Sequence, residues 1–185
     1  MSSQEERSER YLNFYKENIK RVSENSSPYI NSFREAAIEQ FSQLGIPTRK
    51  NESYRYTNLD TFFNHDFSNY FMPSKEDFIK AEEFRCDVTD LDAHGVVLLN
   101  GFYPAIDDKL RELPGGIWIG SMNEASKKFG DKIEKHYGKY INGNSDGLVH
   151  LNTAMASDGV FIWVPEGVVL KKPIQIVNLV QSDED

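Results

Sequence analysis

The sequence predicts an α+β chain in which a helical and mixed region over residues 1–157 leads into a β-rich segment over 158–185. Three observations carry this reading. Apolar residues recur at spacings of three and four over 5–44. The period changes to alternation after residue 84. The stretch Gly159 to Leu179 then crowds three short apolar runs between prolines and glycines.

Each element follows in order. Tyr11, Phe14, Tyr15, Ile19 and Val22, with charges between them, predict an amphipathic helix over 5–24. Ser27-Pro28 reads as an N-cap followed by proline at the first helical position. One continuous second helix is predicted from Pro28 to Leu44, striped by Tyr29, Ile30, Phe33, Ala37, Phe41 and Leu44 and stopped at Gly45. The two helices are expected to pack as a hairpin. Leu59, Phe62, Phe63, Phe67, Tyr70 and Phe71 predict short helical turns or loop packed on the core. Ser74 and Asp77 form a capping box for a helix ending near Glu83.

Alternation of Phe84, Cys86 and Val88 with Arg85 and Asp87 then predicts a half-buried strand. Val96 to Leu99 predicts a buried strand, closed by the turn pair Asn100-Gly101. Leu113-Pro114-Gly115-Gly116 precedes a strand over Ile117 to Ile119. Ser121 and Glu124 suggest a second capping box, opening a helix faced by Ala125, Phe129, Ile133 and Tyr137 and weakened at Gly130. A polar loop over 138–147 leads to a short helix bearing Leu148, Leu151 and Met155, and Ser157-Asp158-Gly159 turns the chain.

In the last segment, Phe161 to Val164, Val168 to Leu170 and Ile174 to Val180 predict three strands. Their connections are too short for crossover helices, which leaves an antiparallel meander or one coil of a β-solenoid. A single coil cannot cover its own apolar face. The sequence therefore predicts a chain that stops part-way through a stack, with an edge that promotes self-association.

The net charge of -8 disfavours nucleic acid and anionic membrane surfaces as partners. Aromatic residues at 12% predict a packed core. MSSQEERSER lacks the apolar run of a secretory signal, and nothing approaches the roughly 20 apolar residues of a membrane span. A single cysteine allows no internal disulfide, and the chain reads as cytoplasmic.

Chemical candidates were weighed against plainer roles. Cys86 reads as a small buried apolar group rather than a nucleophile. His65, His94, His136 and His150 show no metal-ligand spacing. Ser157-Asp158, near His150, reads as a turn; Gly143 to Gly147 lacks the lysine of a phosphate loop; Asp183-Glu184-Asp185 reads as a solvated end. No catalytic, cofactor-binding or metal residue is therefore expected, and the chain reads as no enzyme. Arg49, Lys50 and Arg55, interleaved with Tyr54 and Tyr56, offer one alternative, a single-stranded nucleic-acid-binding module over 49–56. The plainer reading is an ordered connection whose tyrosines pack while its charges stay in water.

Several stretches also resemble a known family. Gly45-Ile46-Pro47-Thr48-Arg49-Lys50-Asn51-Glu52-Ser53-Tyr54-Arg55-Tyr56-Thr57 looks like the early motif of SufD subunits of the bacterial SufBCD iron-sulfur cluster assembly complex, with Tyr54 where that family usually has tryptophan. Val97-Leu98-Leu99-Asn100-Gly101-Phe102 is similar to its apolar strand ending in Asn-Gly. His150-Leu151-Asn152-Thr153-Ala154-Met155, with Asp158-Gly159 and Val164-Pro165-Glu166-Gly167, resembles its approach to a β-helix. The resemblance implies an α+β fold in which this N-terminal region leads into the first coils of a right-handed parallel β-helix. It also implies a scaffold without a reaction of its own, paired with SufB-like and SufC-like subunits. An iron-sulfur cluster belongs to the assembled complex, with no cofactor held by this segment. No functional residue of the family carries over to this chain.

Overall fold

The computed structural model describes residues 3–24, 26–65, 73–83, 92–103, 110–140 and 146–181. The predicted strand with Cys86, the aromatics Phe67, Tyr70 and Phe71, Gly143 and the acidic end Asp183-Glu184-Asp185 lie outside the described residues. Helices α1 (Ser3–Glu24), α2 (Pro28–Asn31), α3 (Arg34–Leu44), α4 (Leu59–Phe63) and α5 (Lys75–Glu83) come first. Strands β1 (His94–Leu99), β2 (Leu110–Leu113) and β3 (Ile117–Ser121) follow, then α6 (Met122–His136), α7 (Gly147–Met155), β4 (Val160–Trp163) and β5 (Ile174–Leu179). The chain divides into two compact units, Met1–Ser68 with Asp131–Ser157 and Asn69–Gly130 with Asp158–Asp185.

The first unit is helical. α1 forms as its spacing predicts. The expected continuous helix from Pro28 to Leu44 is instead split into α2 and α3. Ser27 caps α2 through its hydroxyl, which accepts from the Ile30 N–H, and Pro28 opens the helix. The break has a local cause: the Ser32 hydroxyl donates to the Tyr29 carbonyl at 2.6 Å, and the Phe33 N–H turns to Ile30, three residues back rather than four. α3 ends as predicted at Gly45, whose φ of 65° suits a residue without Cβ.

The main partner of α3 is α7 rather than the predicted α1. Their ends meet so closely that a Cβ on Gly147 would lie 1.8 Å from the Gly45 carbonyl oxygen, so only glycine opens α7 here. Phe41, Ile46 and Phe63 form the core beneath, joined by Tyr11, Leu12, Leu148 and Leu151. Truncating a ring as buried as Phe41 costs about 3–5 kcal/mol.

The second unit holds two small sheets. The box predicted at Ser74 is reciprocal: the Ser74 N–H donates to Asp77 at 2.8 Å and the Asp77 N–H to the Ser74 hydroxyl at 3.2 Å. These bonds from Ser74 hold the Asp77 carboxyl below its ordinary pKa. β2, β3 and β4 form an antiparallel sheet in that order, and β1 pairs in parallel with β5, Val96 opposite Ile176. Asn100 and Gly101 both take positive φ, 50° and 83°, so Leu99 and Phe102 exchange two backbone bonds across a two-residue bend. The Asn100 side chain then extends the β1–β5 pairing by exchanging hydrogen bonds with the backbone of Gln181.

Val168 to Leu170, predicted as a strand, is not one. Gly167, at φ 75°, turns the chain, and Val168 bonds back to Pro165 at 3.2 Å. The alternation survives without a ladder: Val168 and Leu170 pack on the core of Val96, Leu113, Ile117 and Ile119, while Val169 is 85% exposed. β4 and β5 accordingly join different sheets. α6 is kinked at Phe129 (φ -120°, ψ 28°), beside the weak position Gly130; the Phe129 ring stacks on Phe161 at 5.2 Å.

Candidate functional site

The stretch from Gly45 to Asp60 is a braced surface loop. At its start Gln4 donates to the Ile46 carbonyl at 2.7 Å, and the Ile46 N–H donates to Ser8. At its far end Arg7 donates to Asp60 at 2.7 Å, and Arg10 to the Phe63 carbonyl. Between them the Thr48 N–H bonds Asn51, residues 52–54 form a short 3-10 turn, and Asn58 caps α4. The loop is thus ordered by short-range bonds of its own and held at both ends by side chains of α1.

Its two tyrosines do different things. The Tyr54 hydroxyl donates to Oδ2 of Asp146 at 2.7 Å, while Oδ1 of Asp146 accepts the Leu148 N–H as the N-cap of α7. Burial, the hydrogen bond and the carboxylate charge push the Tyr54 phenol up to about 12. Tyr56, by contrast, is 90% exposed, with the Arg55 guanidinium 5.4 Å from its ring centre. The plainer sequence reading therefore holds for Tyr54 and fails for Tyr56. As for nucleic-acid stacking, the Tyr54 hydroxyl is tied to a carboxylate that repels phosphate.

Tyr54 also lines a cleft of about 730 Å³ within the first unit. α3 supplies Ala36, Ala37 and Gln40, and α7 supplies Val149, Asn152 and Thr153. Phe33, Tyr137 and Tyr140 complete an aromatic wall, with Phe33 edge-on to Tyr137 at 5.6 Å. His136 meets the Tyr140 hydroxyl, and His150 lines the cleft with its Nε2 sealed from solvent and without a hydrogen-bond partner among the described residues.

Below this cleft lies Arg34, which the sequence reading passed over. It is 2% exposed, and its guanidinium donates at 2.8 Å to Asn31, to the Ser26 hydroxyl and to the Ala154 carbonyl in the last turn of α7. Burial lowers its pKa, against the opposing influence of Tyr137 and Tyr15. A signal was present, since Arg34 falls four residues after Ile30 and three before Ala37, on the apolar stripe. Asp146 was likewise overlooked within a glycine-rich loop, although aspartate directly before an apolar run is N-cap chemistry.

In the second unit, Ser121 and Asp158 together begin α6. The Ser121 hydroxyl donates to the Asp158 carboxylate at 2.8 Å and accepts the Glu124 N–H, and Asp158 accepts the Asn123 N–H at 3.1 Å. The Glu124 side chain pairs with Lys127 at 2.9 Å, and Asp158 supplies a further acceptor at the helix start, for the Asn123 N–H. Burial raises the Asp158 pKa against the lowering effect of these donors. Asp158 is thus a helix cap, a role that the reading of Ser157-Asp158-Gly159 as a turn did not include.

His94 lies in β1 in the second unit, and His65, His136 and His150 in the first. Among the described residues no three His, Cys, Asp or Glu side chains converge as metal ligands, and no helix is long and apolar enough to cross a membrane.

The family model described as the SufBD protein N-terminal region matches residues 5–176. An iron-sulfur cluster assembly SufBD family protein of Synechocystis is 25% identical over 150 residues, covering 81% of this chain and 32% of that protein. Iron-sulfur cluster assembly protein SufD of Bacillus subtilis is 24% identical over 158 residues, covering 84% of this chain and 36% of its own length. SufD of Escherichia coli is 24% identical over 149 residues, with 78% and 30% covered. The chain thus spans about a third of the length of these relatives.

Proposed function

The chain belongs to the SufBD N-terminal region family, and from that premise we propose that it serves as the N-terminal region of a cytoplasmic scaffold subunit in iron-sulfur cluster assembly. In this reading it works in a complex with a SufB-like subunit and a SufC-like ATPase. It leads into a right-handed parallel β-helix and catalyses no reaction of its own. The cluster is cargo of the complex. The observation that carries the proposal is the match over 5–176, which takes in the motif loop, β1 and the approach to β5 together.

The parallel pairing of β1 with β5 supports it physically. Among the described residues β5 pairs with β1 alone, so its other edge presents backbone donors and acceptors suited to a further parallel strand. Affinity purification of the whole protein from cells tests the reading. Recovery with an ATPase subunit and a second SufBD-type subunit is expected, together with no ATP hydrolysis and no iron on the isolated 185-residue chain. Recovery of the whole protein alone, or ATP turnover by the chain itself, overturns it.

A further inference from the structure

The first unit brings together two features that scaffolding alone does not require. One is the cleft between α3 and α7, whose volume of about 730 Å³ lies within the range of specific binding sites. Phe33, Tyr54, Tyr137 and Tyr140 give it aromatic walls, and such rings supply contact area with little rotamer entropy to lose. The other is the braced loop that continues from Tyr54. It sets Arg55 and Tyr56 in water beside Arg49 and Lys50, all on the surface of a chain with a net charge of -8.

Arginine and tyrosine are the residue types that dominate protein interfaces. An aromatic that is 90% exposed on an ordered loop leaves apolar surface in water, and covering it is favourable. The loop's bonds at Thr48, Asn51 and Asn58 are already formed, so a partner meets a preorganised surface. Its three cations outnumber Glu52, whose carboxylate lies 3.8 Å from Arg55 with both side chains largely in water, so the loop still calls for an anionic partner, and the cleft beside Tyr54 calls for an apolar side chain. A nucleic acid meets only the first demand, since a phosphate backbone offers no apolar side chain for the cleft.

We propose that the cleft between α3 and α7 and the adjoining Arg55–Tyr56 loop together dock an acidic peptide segment of a partner protein. An aromatic or long aliphatic side chain of that segment enters the cleft, and flanking carboxylates pair with Arg55 and Lys50. Gln40 and Asn152, exposed on the cleft walls, are placed to bond the peptide's backbone. This deepens the scaffold reading and rests on it, by naming the surface and the chemistry of one partner.

Selection of a random peptide library on the immobilised 185-residue chain tests the proposal, with oligo(dT) as a parallel probe. Enriched peptides should carry Asp and Glu around Trp, Phe or Leu. Their affinity should fall about tenfold or more in Arg55→Glu and in Ala36→Trp, where a ring at an exposed helix position fills the cleft. Both positions are on the surface, and thermal melting of each variant should match the parent. If one variant melts early, Lys50→Glu or Gln40→Trp takes its place. No enrichment, enrichment of basic or uncharged peptides, or acidic peptides whose binding both variants leave intact would overturn the proposal. Tighter binding of oligo(dT) than of any selected peptide would also overturn it, in favour of nucleic acid. If the selection fails while the whole protein still co-purifies with its ATPase subunit, the docking cleft falls and the scaffold reading stands.

Discussion

Each of the two units sets a charged side chain at the end of a helix, Arg34 buried and Asp158 partly buried, and the two are opposite in sign. In the first, the Arg34 guanidinium closes the C-terminal turn of α7 through the Ala154 carbonyl. In the second, the Asp158 carboxylate closes the N-terminal turn of α6 through the Asn123 N–H. Both placements follow the helix dipole, which is negative at its C-terminus and positive at its N-terminus. They differ in what protons can do. A guanidinium stays charged at any pH a protein survives, whereas a carboxylate can be neutralised. The first unit is therefore locked by a fixed charge and the second by one that titrates.

Arg34→Met should produce the largest effect, because it strips donors from Asn31, the Ser26 hydroxyl and the Ala154 carbonyl at once. Leaving buried acceptors unsatisfied should cost roughly 3–4 kcal/mol in total, read as a lower urea midpoint. Hydrogen exchange should accelerate in α3 and α7 first. Exchange that rises equally in β1 and β5 would break the idea that each lock serves its own unit.

Asp158 sharpens the comparison through pH. Its folded pKa is raised above the ordinary 3.8, so the folded chain holds this proton more tightly than the unfolded chain does. Its contribution is therefore most favourable in acid and declines as pH rises from 3.8 through the folded value. The stability of the parent relative to Asp158→Asn should fall across that window, since asparagine keeps an acceptor for the Asn123 N–H without a charge. Asp158→Ala should lose about 1–2 kcal/mol in acid as a missing cap and less as pH rises through the same window, because alanine, like asparagine, does not titrate. A parent-to-Asn difference that is flat with pH would remove the contrast with Arg34.

The smallest effect belongs to Tyr54→Phe. One partly solvated hydrogen bond to a carboxylate is lost, at about 1 kcal/mol. The raised phenol pKa means that this stabilisation is complete below pH 10 and disappears as pH climbs toward about 12. In an ultraviolet titration the variant should show one late-ionising tyrosine fewer than the parent, in which burial also raises Tyr15, Tyr103 and Tyr137. An unchanged late amplitude would break the assignment to Tyr54.

Local rules were legible where local chemistry decides. Helix α1, the Ser27-Pro28 start, the Gly45 stop, the Ser74–Asp77 box and the Asn100-Gly101 bend each depend on neighbours within about four residues, and each was readable from the letters. The failures are of two kinds, one local and the others of pairing. The break at Ser32 was set by a hydroxyl competing for a carbonyl that the helical period ignores. Val168 to Leu170 kept its alternation but found no strand to pair with. Phe161 and Ile174, close in sequence, joined different sheets.

What the sequence determined by itself is therefore most of the elements, the helix ends at Ser27, Gly45 and Ser74, and the family likeness of the Gly45 to Thr57 stretch and the approach to β5. Only the tertiary structure decided the pairings. It set α3 against α7 across two glycines, tied Tyr54 to Asp146 and put Arg34 on the end of a helix far along the chain, and it laid β1 beside β5. The reason is range: propensity and capping act over a helical turn, whereas the partner of a buried charge or an open strand edge is whichever group the folded chain carries there.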